Sequence, residues 1–101
     1  MQQRPITIEF IIELIYIEID NHNEVNPDDL QLKKSLETVF LGEGGSLDSL
    51  GLLTILVSIE NSVKNNIDNN LLIIDELLFN DKDGPYNNVK SLSKYIFKKV
   101  K

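Results

Sequence analysis

The sequence contains no cysteine, no tryptophan and a single histidine. A chain without cysteine forms no disulfide, no thiolate metal site and no cysteine nucleophile, which fits a reducing cytoplasm. The one histidine, His22, lies in a turn-rich segment, so we expect no serine–histidine–acid triad. The apolar segment at residues 6–19 is interrupted by Glu9, Glu13 and Glu18, which argues against a signal peptide or a membrane span. We therefore expect a cytoplasmic protein.

Basic residues are also few, since 10 Lys and Arg stand against 16 Asp and Glu. The formal net charge of −6 argues against a general binder of nucleic acid or of anionic membranes and favours basic protein partners. With 101 residues, of which 42% are hydrophobic, the chain has material for one modest core. We expect a single domain over residues 1–101, with its core roughly at residues 6–100 and a frayed end at residues 1–5.

The first helix is predicted from apolar spacing that begins at Ile8. One face consists of Ile8, Ile11, Ile12, Ile15 and Ile19, and the opposite polar face of Glu9, Glu13, Tyr16 and Asp20. Residues 15–19 also alternate as a strand does, and isoleucine favours strands, but the length of the pattern favours a helix. The turn formers at residues 21–29 are expected to end this helix.

A long connection follows at residues 30–46, and it carries more large apolar side chains than a solvated loop needs. We expect Leu36, Phe40 and Leu41 to plug one end of a helical bundle, which would tie the connection down. A short helical turn is expected within residues 28–35.

The chain is organised around residues 42–51, a glycine-rich loop that leads into an apolar-periodic segment. Asp48 and Ser49 are residue types that accept hydrogen bonds from a first helical turn, so they mark a helix start. The second helix is expected at residues 49 to about 65. Its core face is predicted to consist of Leu50, Leu53, Leu56, Val57 and Val63, widened by Leu52, Ile55 and Ile59. A helix this apolar is either largely buried or offers a hydrophobic docking face.

Residues 71–79 fit either a short third helix or part of a loop. A turn is expected at residues 80–85. Its two aspartates are not expected to bind calcium, because the register lacks an acid at either end of such a loop. Asn88 is predicted to cap a last helix, whose core positions are Val89, Leu92, Ile96 and Val100.

Ser49 is the candidate site. At a helix start its hydroxyl lies where N–H groups and the positive end of the helix dipole accommodate a phosphate. A serine at such a position is most often only a helix N-cap, and Asp48 is equally suited to be a second cap residue. A serine hydroxyl is a poor nucleophile without a base, but nothing in the chain need activate it if a separate enzyme acts on it. These features indicate a serine that is modified.

The run Asp48-Ser49-Leu50, with its glycine-rich approach and the helices on either side, resembles the acyl carrier proteins over nearly the whole chain. The resemblance implies an all-α fold, a small four-helix bundle with a long first loop and a short third helix. It implies a free-standing, monomeric, non-enzymatic carrier whose Ser49 holds 4′-phosphopantetheine, attached by a phosphopantetheinyl transferase. An acyl or aminoacyl group would then pass as a thioester from a loading ligase to downstream transferases, in fatty-acid or secondary-metabolite biosynthesis.

The resemblance also assigns roles to the neighbours of Ser49. Asp48 would help to orient the transferase's metal and the arm, and Leu50 would touch partner enzymes. Apart from the resemblance, a place in the core is equally open for Leu50. The second helix departs from the fatty-acid type, because neutral residues stand where acids are usual and only Glu60 remains. Partner recognition is therefore expected to rely on apolar contact more than on charge. The pattern Asp-Ser-Leu-Gly, with Gly51 directly after the triplet, resembles the D-alanyl carriers of cell-envelope modification.

Two alternatives from other functional classes stay open. One is an unmodified adaptor that keeps the carrier fold and binds a partner protein through its second helix. The other is a small hydrolase that uses Ser49, which the missing base disfavours. No resident metal ion is predicted.

Overall fold

The computed structural model describes residues 6–41, 45, 47–78 and 84–100, and within these ranges the protein is all-helical. Its three α-helices are α1 (Ile8–Val25), α2 (Ser49–Asn66) and α3 (Val89–Lys99), and single turns of 3-10 helix lie at Asp28–Leu30 and Glu76–Leu78. α1 lies at the centre, because it packs against both α2 and α3. The frayed end predicted at residues 1–5, the part of the glycine-rich approach at residues 42–44 and 46, and the turn at residues 80–83 lie outside the described residues.

α1 buries one face and exposes the other, as its apolar spacing predicts. The side chain of Thr7 caps the helix by accepting a hydrogen bond from the Phe10 N–H, at 3.1 Å. The buried face consists of Ile11, Leu14, Ile15 and Ile19, whereas Ile8 and Ile12 are half-buried. The prediction of Tyr16 on the polar face is wrong, because Tyr16 is half-buried and packs against the core. Residues 15–19 are helical, so the strand alternative is wrong.

The end of α1 corrects the sequence prediction, because the helix continues through the turn formers to Val25. Its last turn is held by side chains that bind the following connection. His22 Nε2 donates to the Leu30 carbonyl at 2.8 Å, and Asn23 pairs with both the N–H and the carbonyl of Leu32, at 2.8 Å each. The helix ends only at Asn26, which is extended because a proline follows it.

The connection between α1 and α2 is anchored to the core, as predicted, although partly by different residues. Phe40 is fully buried and Leu41 is half-buried, but Leu36 is exposed and Leu32 is buried in its place. Leu36 contributes its backbone instead, since its carbonyl accepts from the Lys90 N–H at 2.9 Å. Such backbone contacts leave the side chain free to point into solvent.

The start of α3 is tied to the same connection. The Thr38 carbonyl accepts from the Val89 N–H at 3.1 Å. Asn88 caps the helix as predicted, because its side chain accepts from the Ser91 N–H at 2.8 Å while Ser91 Oγ accepts from the Asn88 N–H at 3.1 Å. The N–H groups of the first turn are therefore satisfied, which is the usual requirement for a stable helix start.

The fourth helix of the prediction is not confirmed: residues 71–75 have no regular secondary structure, and the 3-10 turn Glu76–Leu78 follows them. Two side chains occupy the backbone groups that a helix would pair internally. Glu60 Oε2 accepts from the N–H groups of Ile73 and Ile74, at 2.9 and 3.1 Å. The Tyr86 hydroxyl donates to the Ile73 carbonyl and accepts from the Asp75 N–H, the latter at 2.8 Å. These bonds tie residues 73–75 to α2 and to Tyr86.

Because its hydroxyl is buried, Tyr86 is expected to make the fold less stable at alkaline pH. Burial raises the pKa of the Tyr86 phenol to about 12, against about 10 in an unfolded chain. Between about pH 10 and 12 the unfolded chain has released a proton that the native state keeps, so the free energy of unfolding must fall across this range. The Tyr86 contribution is fully present below about pH 10.

Replacing Tyr86 by phenylalanine is expected to lower the free energy of unfolding at pH 7 by about 1–3 kcal/mol, because the buried Ile73 carbonyl and the part-buried Asp75 N–H lose their partner. Urea titrations of both proteins at pH 7, 9, 10, 11 and 12 test this. The difference between wild type and Tyr86→Phe should be constant up to pH 10 and narrow above it. If the difference in free energy of unfolding between the two proteins stays constant up to pH 12, the raised pKa of Tyr86 is contradicted.

Candidate functional site: the exposed serine at the start of α2

Asp48, not Ser49, is the N-cap of α2. Asp48 Oδ1 accepts from the Gly51 N–H at 2.8 Å, and the Asp48 carbonyl accepts the first helical hydrogen bond, from the Leu52 N–H at 2.9 Å. Ser49 is the first helical residue and is exposed. Its hydroxyl makes no hydrogen bond to any residue that the structure describes. The interpretation of Ser49 as an ordinary cap is therefore wrong, and its side chain has no structural task in the described part of the chain.

The position of Ser49 is fixed by a tight loop closure just before it. The Leu47 N–H donates to the Phe40 carbonyl at 3.0 Å, and Leu41 forms an isolated parallel bridge with Leu47. Gly45 lies directly on this closure, because a Cβ atom placed there would come within 2.7 Å of the Phe40 carbonyl carbon and oxygen. Leu47 and Phe40 are both buried, so the chain that leads to Ser49 is anchored in the core.

Gly51 has a local structural explanation. A Cβ atom at this position would lie 3.3 Å from the Asp48 carboxylate oxygen that caps the helix and 3.3 Å from the Leu47 Cβ. The missing side chain thus lets the cap and the buried Leu47 pack closely against the first turn. This explanation is independent of any carried group, so Gly51 by itself favours no branch of carrier proteins.

The face that α2 turns to the core is only partly the predicted one, because Leu56 and Val63 are buried as expected but the other three residues of that face are not. The residues expected only to widen the core face form its centre, and the buried set is Leu52, Ile55, Leu56, Ile59 and Val63. Three residues of the predicted core face are exposed instead, with exposed fractions of 71% for Leu50, 36% for Leu53 and 41% for Val57. Of the two roles open for Leu50, burial in the core is therefore excluded, and surface contact remains.

Charge is nearly absent from α2. Glu60 and Lys64 are its only charged residues, and their side chains lie 3.7 Å apart at the nearest N and O atoms. The Glu60 side chain is only 14% exposed, because its other oxygen holds the backbone of residues 73 and 74. The carboxylate that the sequence pattern leaves for partner contact is thus used inside the protein.

No catalytic group of this chain is placed to activate Ser49 within the described residues. The ring nitrogens of His22 contact the Leu30 carbonyl and the Asn26 side chain, at 2.8 and 3.2 Å, and not a serine. Over the described ranges no three histidine, aspartate or glutamate side chains converge as a metal site would require. Among the described residues, the Ser49 hydroxyl is thus exposed and has no base in hydrogen-bond contact with it.

Sequence reasoning missed two residues that shape the surroundings of α2. Tyr86 has no sequence signal, because a tyrosine in a turn gives no indication of which backbone groups it will bind. Glu60 is identifiable from the sequence as the lone acid of an apolar helix, but that pattern suggests a partner contact. Only the structure places its carboxylate on residues 73 and 74.

In comparisons with known proteins, no family model matches this chain, and no curated protein or solved structure matches it. Among the helices of the described ranges, none is long and apolar enough to cross a membrane. Because no known protein matches, the geometry around Ser49 is the basis for a functional proposal.

Proposed function

We propose that this protein is an acyl carrier: Ser49 receives 4′-phosphopantetheine, and the arm presents an acyl or aminoacyl group to biosynthetic enzymes. The observation that gives this the strongest support is the exposed Ser49 hydroxyl at the first position of α2, free of hydrogen bonds to described residues. Because Asp48 already caps the helix, Ser49 can be modified without loss of a structural contact. We place the proposed carrier in the cytoplasm as a monomer.

The residues around Ser49 fit a phosphodiester-linked arm. A helix N-terminus favours negative charge through its dipole and its N–H groups, and Ser49 lies at that position. The carboxylate of the adjacent Asp48 accepts from the Gly51 N–H at 2.8 Å. Once attached, the arm supplies the thiol that a chain without cysteine lacks.

In this proposal the protein presents the Ser49 hydroxyl, and a separate transferase catalyses attachment of the arm. The transferase must remove the Ser49 proton, since the ring nitrogens of His22 are turned to Leu30 and Asn26. Ser49 Oγ forms a bond to the phosphorus atom that carries the pantetheine group of coenzyme A. The phosphoanhydride bond of coenzyme A breaks, and the nucleotide part leaves with the other phosphate. A hydrolase that uses Ser49 would need a base within hydrogen-bond reach, and none lies there among the described residues.

The adaptor alternative is favoured by one specific observation, the exposed apolar side chains Leu50, Leu53 and Val57 on α2. An apolar helix face can bind a partner whether or not the neighbouring serine is modified. The D-alanyl carrier is a narrower form of the main proposal and differs from it only in the carried group and its ligase.

The proposal predicts that the folded wild-type protein accepts one arm from coenzyme A. The test is an intact-mass measurement after incubation with coenzyme A and a broad-specificity phosphopantetheinyl transferase. A single added arm per chain is expected, since one serine lies at an exposed helix start in the described residues. A folded protein that accepts no arm would overturn the carrier and leave the adaptor, whereas ester turnover by the purified chain would indicate the hydrolase.

A further inference from the structure

The last part of the chain carries positive charge, although the protein as a whole is acidic. Residues 84–101 contain five lysines and no aspartate or glutamate. The formal net charge of −6 is therefore +5 in this stretch and −11 over residues 1–83. Such a separation creates a local field opposite in sign to that of the whole molecule. A partner that approaches α3 thus meets positive charge, even though the net charge of the chain favours basic partners.

Three of these lysines line one exposed side of α3. Lys90, Lys94 and Lys98 follow one another at intervals of four residues, which places them on one face of the helix. All three are exposed. The opposite side of α3 is buried and consists of Val89, Leu92, Ser93 and Ile96. We call Lys90, Lys94 and Lys98 the lysine stripe, and it extends over about 12 Å along the helix axis.

The lysine stripe is not neutralised by the described part of the chain. The ion pairs found there are those of Lys34 and Lys64, which lie outside α3. No carboxylate of the described residues pairs with the stripe. Lys99 is the remaining lysine of α3, and its Nζ lies 5.0 Å from the centre of the Tyr95 ring. One residue beyond Lys98, it is turned by about 100° around the helix and so lies off the stripe.

The stability of α3 does not account for the lysine stripe. Lys90 lies in the first turn, where the helix dipole disfavours positive charge and where no acidic residue is present. Like charges four residues apart also destabilise a helix. Of the three lysines, only Lys98 in the last turn is favourably placed in the dipole. The arrangement therefore points to negative charge supplied from outside the chain.

We propose that the lysine stripe binds an acidic surface of a partner protein, whose carboxylates meet Lys90, Lys94 and Lys98. A partner helix with an acid at every fourth position fits, because its carboxylates repeat at the same interval along one face. This surface lies on a different helix from Ser49 and does not depend on modification of that serine.

Two features favour a protein over an anionic membrane or a nucleic acid. The apolar side of α3 is buried in the core, so this helix has no apolar face with which to enter a lipid surface. Membranes and nucleic acids also extend far beyond the stripe and would meet the acidic remainder of the chain. That remainder includes the exposed Glu9 and Glu13 of α1, the helix against which α3 packs. A protein surface can confine its negative charge to the length of the stripe.

The test titrates the folded protein with two helical peptides of identical composition and follows the backbone amides by NMR. One peptide carries three glutamates at every fourth position, and the other has the same glutamates distributed around the helix. We expect the first peptide to bind at least about threefold more tightly, with shift changes centred on the lysine stripe. Its affinity should fall about tenfold between 50 and 500 mM salt. Equal affinities for the two peptides, or shift changes outside α3, would overturn the proposal.

Lys94→Gln and Lys99→Gln form a matched pair, because each removes one positive charge from the same helix. Lys94→Gln should weaken binding of the first peptide about three- to tenfold, whereas Lys99→Gln should stay within about twofold of wild type. Equal weakening would show that only the net charge matters and would overturn the stripe. Lys90→Gln should weaken binding without lowering the urea midpoint, because Lys90 opposes the helix dipole. A marked fall of the midpoint would show that Lys90 serves the fold, which contradicts the proposal.

Vesicles of phosphatidylcholine and phosphatidylserine, and a short DNA duplex, represent the competing occupants. We expect neither to bind the wild type as tightly as the first peptide does at the same salt concentration. Tighter binding of either would identify a phosphate surface as the occupant and overturn a protein partner. Ser49→Ala should bind the peptide as the wild type does, so a failure of the carrier proposal would leave this result unchanged.

Discussion

Ser49→Ala is expected to abolish acceptance of the phosphopantetheine arm while leaving the fold intact. The hydroxyl oxygen is the atom that forms the new bond, so its removal leaves nothing to modify. The structural consequence is small, because Ser49 is exposed and Asp48 caps the helix. We expect the free energy of unfolding to change by less than about 0.5 kcal/mol, as for surface substitutions generally. Intact mass and urea denaturation of the same sample check both parts.

Two controls separate loss of the acceptor from loss of structure. Ser58→Ala removes another serine of α2, whose hydroxyl donates to the Thr54 carbonyl at 3.3 Å, and this variant should accept the arm normally. Asp48→Ala removes the cap and should cost about 1 kcal/mol of stability. An arm that still attaches to Ser49→Ala, or that disappears in Ser58→Ala, would show that another residue is the acceptor.

Phe40→Ala is expected to lower the free energy of unfolding by about 3–5 kcal/mol, a larger loss than for Tyr86→Phe or Asp48→Ala. Phe40 is fully buried, and its backbone closes the loop before Ser49 through the bond from the Leu47 N–H at 3.0 Å. Removing the ring leaves a cavity under this closure. Since a domain of this size is stable by about 5–15 kcal/mol, the urea midpoint should fall markedly or the protein should fail to fold.

Leu36→Ala is the matched control for Phe40→Ala. Leu36 belongs to the same connection and is equally apolar, but its side chain is 40% exposed. Its carbonyl, which accepts from the Lys90 N–H, is unaffected by the substitution. We expect a loss below about 1 kcal/mol. Equal losses in the two variants would mean that the Leu36 side chain is buried as deeply as that of Phe40, which would contradict the structure.

Helix starts could be predicted from the sequence because they depend on local chemistry. Asp48 and Asn88 are residue types that bind the N–H groups of their own first turn, and both do so. The start of α1 at Ile8 follows from apolar spacing within one segment. Each signal lies within a few residues of its consequence, so a pattern is enough to find it.

The core side of α2 could not be predicted in the same way. Between Leu50 and Ile59 the helix is apolar in almost every direction, so spacing alone favours no single face. The choice is made by contacts with α1 and by the residue 71–75 segment, which Glu60 and Tyr86 fix from 11 to 14 residues away. The end of α1 is a similar case, because Asn23 gains partners in Leu32 that are nine residues distant.

For the candidate site, the sequence predicted an exposed serine at a helix start, and the structure has Ser49 there. Which of two adjacent polar residues would cap the helix could not be predicted, because Asp and Ser are both good caps. The answer matters for function, since it leaves the Ser49 side chain free for chemistry.

Attachment of the arm to Ser49 can be located residue by residue with fragmentation mass spectrometry of the modified wild-type protein. After incubation with coenzyme A and a phosphopantetheinyl transferase, the protein is digested and the position of the added group is read from the fragments. If Ser49 is the acceptor, the added group will be found on Ser49 and on no other residue. A group on a different side chain, or a folded protein without any addition, would show that Ser49 is not the carrier serine.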